Sequence, residues 1–227
     1  MGTDVHCKET TKDHQIALPT GTVTFLFTDV ESSTHLWETH PDLMKDALAR
    51  HDRVVRGTIE EYSGSVFTTA GDAFCASYTS PHQAIEAAVT GQRRLAAEEW
   101  GDLGPLRVKM ALHTGNANER DGDYFGPPLN RCARLLSTGH GGQILVSEAT
   151  ANLLRDELPA GVQLKDLGAH VLKDLERAEH VYQVLHDDLP ATFPDLRSER
   201  PGLDAVDHLA AGRQAHAAEQ WEPLTLP

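Results

Sequence analysis

The chain has 227 residues, 40% of them hydrophobic and 24% charged, which is enough apolar content for one ordinary domain plus tails and excludes wholesale disorder. With 20 Lys+Arg against 34 Asp+Glu the formal net charge is -14, which excludes a general attraction to nucleic-acid backbones or anionic membranes. Any phosphate the protein handles must therefore meet local cations or bound metal ions.

Three cysteines, Cys7, Cys75 and Cys132, lie far apart with no CxxC pair, arguing against a disulfide scaffold or structural zinc and fitting a reducing compartment. The polar start lacks the apolar stretch of a signal peptide, and nowhere do about 18 apolar residues run together, so a cytoplasmic protein without membrane insertion is expected. Residues 1–19 read as a flexible leader, 20–187 as the folded body and 188–227 as a C-terminal extension with a short helix near 205–220.

In chain order, residues 23–28 form a strong strand signal ending at Asp29, and the polar turn 31–34 leads to helical patterning over 41–61. Two short β segments, 65–69 and 74–78, flank Ala70-Gly71-Asp72-Ala73, the spacing of a tight hairpin with Asp72 at its tip. Pro81 opens an amphipathic helix to about 99, 107–113 alternates like a strand, and 128–137 reads as a helix. A strand at 143–146, a helix at 147–154 and a closing β pair, 163–171 with 180–185, complete the body. The mixture predicts an antiparallel-rich α+β sandwich rather than a doubly wound sheet.

Asp29 ends one strand and Asp72 tips a hairpin that could pair beside it. Two carboxylates so placed can hold hard divalent cations, although an Asp capping a turn and an Asp at a hairpin tip are each ordinary. The backbone N–H groups of 30–34 suit a phosphate. Asn130 and Arg134 stand four apart on one helix face, where an amide and a guanidinium could grip a ribose and a phosphoryl group. The 13 histidines are scattered without paired metal-ligand spacing; His113 reads as structural, Cys132 as packing, and Trp37 and Trp100 as core or interface anchors.

The runs FTDVESST (27–34), TAGDAF (69–74), ALHTG (111–115) and GDYFGPPLNRCAR (122–134), with LKDL at 172–175, occur in this order and together resemble the class III nucleotide cyclases, the adenylate/guanylate cyclase catalytic domains. The resemblance implies a ferredoxin-like α+β core and a homodimer with sites at the subunit interface. Asp29, Asp72 and the carbonyl of Val30 would bind two divalent ions, Mn²⁺ or Mg²⁺. Asn130 would orient the ribose, Arg134 would stabilise charge on the transferring phosphorus, and Lys173 would hold the terminal phosphates of a nucleoside triphosphate.

The base-reading pair departs from the family. Adenylate cyclases carry a Lys four positions before the hairpin-tip Asp, where this chain has Thr68, whereas Asp123 keeps the second position. Guanylate cyclases usually carry Glu and Cys there, so the chain matches neither. Replacing a charged donor to adenine by a hydroxyl forfeits on the order of 1.5–3 kcal/mol, about tenfold to a hundredfold in discrimination. Asp123 could accept from uracil N3–H, cytosine N4, adenine N6 or guanine N1. The chain is also similar to the small pyrimidine cyclases of bacterial anti-phage systems, which implies cUMP or cCMP as product and a separate cyclic-nucleotide-activated effector. An adenylate cyclase with an altered pocket stands as the alternative, and a catalytically silent cyclase-like dimerisation or nucleotide-sensing domain as the reading of another class.

Overall fold

The computed structural model describes residues 18–175 and 177–198. Its elements are β1 (Gly21–Val30), α1 (Ser33–Thr39), α2 (Pro41–Glu61), β2 (Ser65–Ala70), β3 (Ala73–Tyr78), α3 (Pro81–Ala97), β4 (Val108–Arg120), β5 (Asp123–Phe125), α4 (Pro127–Thr138), β6 (Ile144–Ser147), α5 (Glu148–Leu153), β7 (Gln163–His170) and β8 (Glu179–Leu185). The sheet order is β2-β3-β1-β4-β6-β8-β7, with β5 hairpinned onto β4. The first four strands are antiparallel, and with α2 and α3 between them they form the expected ferredoxin-like βαββαβ core; β6 joins β4 in parallel.

Period-two alternation divides the core along β1. Leu26 and Val30 face Met44, Val55 and Ile59 of α2 and Ile85 and Ala88 of α3. Val23, Phe25 and Phe27 face the other way, onto Cys132 and Leu135 of α4. The sheet is thus covered by helices on both faces, and β1, apolar on both, carries its first charged side chain at its far end, Asp29.

The structure departs from the sequence reading in three places. Residues 33–39 form a helix where a turn was expected; α1 buries none of its residues, so it has no apolar stripe to announce it. Of the two tryptophans expected as core or interface anchors, Trp100 lies in the core and Trp37 on that helix is 39% exposed. The strand expected over 107–113 runs to Arg120 and turns back through β5, a hairpin whose outer half is polar and exposed. Residues 18 and 19 belong to the body: Leu18 packs beside the Phe25 cluster and the Pro19 carbonyl accepts from Tyr124 Oη at 2.6 Å. The helix expected near 205–220 lies outside the described residues.

Candidate active site

The register that pairs Thr28 with Phe74 carries Val30 opposite Asp72, and the Val30 amide donates to Asp72 Oδ2 at 3.0 Å. The hairpin tip is thereby fastened to the end of β1, bringing Asp29, Val30 and Asp72 together as the sequence reading expected. On its other side β1 pairs Asp29 with Lys109 of β4, whose Nζ lies 2.6 Å from Asp29 Oδ2. This cross-strand pair of opposite charge was not anticipated. A single Lys interrupting the buried run 108–113 was its only trace in the sequence.

Two carboxylates and a backbone carbonyl are hard oxygen donors suited to Mg²⁺ or Mn²⁺, and the ammonium on Asp29 marks a position that already takes a cation. Among the described residues no three His, Cys, Asp or Glu gather as a metal-binding group.

The turn after β1 is held tightly. The Glu31 amide donates to the Arg107 carbonyl at 2.8 Å, and Ser32 then takes a left-handed conformation (φ 60°) that ends the strand and opens α1. Burial alone would push the Glu31 carboxyl up, but hydrogen bonds from Arg197 and the Gly141 amide, with the charges of Arg197 and His140, hold it below the ordinary range.

Thr68 and Asp123 are each related to Cys75, Thr68 by strand pairing and Asp123 by its charge. Thr68 pairs with Cys75 across β2 and β3, just after a bulge at 66–68. The Cys75 thiol is pushed up to about 11 by burial and then by the nearby Asp123 charge. Asp123 itself begins β5 and accepts from the Tyr124 amide at 2.7 Å.

Asn130 and Arg134 both lie on α4, Asn130 exposed and Arg134 half-buried, while Cys132 between them is fully buried on the opposite face. Arg134 Nη2 donates to Asp174 Oδ2 at 2.6 Å, so the loop carrying exposed Lys173 meets the Arg134 face of α4. Arg134 pairs there and not with Asp29 or Asp72, which have their own partners.

Residues 16–99 match the model of the adenylate and guanylate cyclase catalytic domain. A solved structure from a study of adenylate cyclases from Trypanosoma brucei in their monomeric state superposes with a TM-score of 0.70 and 30% identity, covering 80% of this chain and 95% of that one. The chain belongs to the class III adenylate/guanylate cyclase catalytic domains. The receptor-type adenylate cyclase GRESAG 4.3 of Trypanosoma brucei brucei is 32% identical over 73% of this chain and 17% of its own length. An uncharacterised protein of Mycobacterium tuberculosis is 42% identical over 83% of this chain, a match that spans 64% of the relative's length. Set within this cyclase domain, the carboxylate turn, the Thr68–Asp123 pair and the α4 face are three separate groups of candidate residues on one chain. None of the helices among the described residues is long and apolar enough to cross a membrane.

Proposed function

We propose that the chain converts a nucleoside triphosphate to a 3′,5′-cyclic nucleotide and pyrophosphate, as a homodimer in which each site takes residues from both subunits. The observation that carries this reading is the fastening of Asp72 onto the Val30 amide beside Asp29, on a chain whose Arg134 pairs elsewhere. Asp29, Asp72 and the Val30 carbonyl of one subunit would hold divalent ions, Mg²⁺ or Mn²⁺, which would supply charge neutralisation at the phosphates and acidify the attacking 3′-hydroxyl. Lys109, which pairs with Asp29 in the free chain, would share that carboxylate with them. From the other subunit, Asn130 orients the ribose and Arg134 leaves Asp174 to meet the charge growing on the α-phosphorus; Lys173 beside it binds the terminal phosphates. The protein's task is thus positioning and charge neutralisation, which reconciles a net charge of -14 with a polyanionic substrate.

ATP is the first substrate we assign, because relatives at 30% identity or more carry adenylate cyclase names and Asp123 can accept from adenine N6. A pyrimidine substrate is the second reading, and Thr68 favours it: an uncharged hydroxyl stands where the purine-reading lysine is expected. Production of cUMP or cCMP, an anti-phage role and a separate effector all rest on that one position.

The test is incubation of the purified protein with Mn²⁺ or Mg²⁺ and each of ATP, GTP, CTP and UTP, with products identified by mass. A cyclic nucleotide from at least one, lost in Asp72→Ala, is the expected result. Absence of product from all four, or product unchanged in Asp72→Ala, contradicts the proposal.

A further inference from the structure

The chain does not leave the body after β8. Its next residues are held at successive points: the Ala191 carbonyl accepts from Gln183 Nε2 at 3.0 Å, the Asp195 carbonyl lies 3.0 Å from His140 Nε2, and Ser198 Oγ lies 2.8 Å from His170 Nδ1. Arg197 makes two contacts within this strap. Its amide donates to the Thr138 carbonyl at 2.9 Å, at the end of α4, and its Nη2 donates to Glu31 Oε1 at 2.7 Å, across 166 positions of sequence.

Glu31 shares a peptide with Val30. Its N–H points to the Arg107 carbonyl, and in a trans peptide the Val30 carbonyl must point the opposite way. The direction of that proposed metal ligand therefore depends on how firmly the 30–31 peptide is held. Glu31 is built into place: its side chain is only 23% exposed, it accepts from the Gly141 amide, and a Cβ at Gly141 would fall 2.7 Å from Glu31 Oε2. Only a glycine at 141 lets the loop after α4 approach the carboxylate so closely.

We propose that Arg197 is a positioning residue for the metal-binding turn. Through Glu31 it fixes the 30–31 peptide and aims the Val30 carbonyl at the divalent ions; it touches neither substrate nor metal. This rests on the metal assignment to Asp29, Val30 and Asp72. A half-exposed surface ion pair does little for folding, so stability and metal affinity should separate: the variant should melt like the parent yet bind metal less well.

The test measures Mn²⁺ alone, without nucleotide, by the electron paramagnetic resonance amplitude of the free ion, with thermal melts run beside it. Arg197→Ala is expected to weaken Mn²⁺ binding about tenfold, the lower end for partners that orient a ligand, with the melting temperature little changed. Arg197→Lys should recover most of the loss. Glu31→Gln should reproduce it while leaving the Arg197 backbone bond to Thr138 untouched, and the double variant should bind no worse than either single one. Parental Mn²⁺ affinity in Arg197→Ala, or losses that multiply in the double variant, would overturn the proposal. Mn²⁺ binding by the parent that survives Asp72→Asn would instead overturn the metal assignment, and the positioning role with it.

Discussion

Each of the two charges proposed to serve cyclisation is already matched within the chain, Asp29 by Lys109 and Arg134 by Asp174. On the proposed reaction, substrate and metal would exchange partners rather than meet bare charges. Base selection is the weaker part of the site. Thr68 pairs across the strands with Cys75, whose thiol, pushed up to about 11 by burial and the Asp123 charge, stays protonated and unreactive at neutral pH. Thr68→Lys should restore a charged donor and shift the ratio of cAMP to cUMP formation toward cAMP by about tenfold or more, measured as relative kcat/KM for ATP and UTP. A ratio unchanged by the lysine would mean that position 68 does not touch the base. Asp29, Asp72, Asn130, Arg134 and Lys173 can be named as candidates from the sequence because each sits in a short run whose order is specific. Lys109 and Arg197 cannot: their partners are fixed by strand register and by a strap, and neither follows from local spacing.

At the level of elements, the hairpin joining β2 to β3 was readable because Gly71 and Asp72 interrupt two β-prone runs, and β1 because its apolar run stops at a charge. The outer half of β4 was not, because it has no alternation, and α1 was not, because it buries no residue fully and packs on the core only through half-buried Leu36. A buried polar thread ties the central strands together. His113 Nδ1 lies 2.8 Å from Ser147 Oγ, Thr150 Oγ1 lies 3.0 Å from Thr114 Oγ1, and Thr114 reaches Thr24 at 2.9 Å. Burial, and next the Arg131 charge, push His113 down to about 4, so the folded state resists a proton that the unfolded chain accepts near 6.5. The unfolded state then binds more protons between those values, and stability must fall as pH drops from about 6.5 toward 4, by up to about 3 kcal/mol. Urea unfolding across that window should show the loss, and His113→Gln should flatten it; an equal slope in the variant would place the titration elsewhere. Packing makes a separate prediction at the α2–β2 connection. A Cβ at Gly64 would fall 2.7 Å from Tyr78 Oη, on a ring that is fully buried, so Gly64→Ala should destabilise by about 1–3 kcal/mol in urea unfolding. A change within about 0.5 kcal/mol would show that the ring moves aside freely.

For the whole molecule, the fold class followed from the order of strands and helices, and the sheet order adds what the sequence could not: β1 lies between β3 and β4, so one strand end collects Asp72 from one side and Lys109 from the other. The α4 face with Arg134 and the Lys173 loop forms a second group, tied within the chain to Asp174. In the proposed homodimer a two-fold axis would join the two groups, each subunit giving its carboxylates to one site and its Asn130 and Arg134 to the other. The most direct measurement mixes two variants that are each inactive, Asp72→Asn and Arg134→Ala, under conditions where dimers exchange. If sites are shared, half of the dimers in an equal mixture are mixed and carry one intact site of two, so about a quarter of parental cyclase activity should return. A mixture as inactive as its components, from variants that still dimerise and exchange, would contradict the shared site.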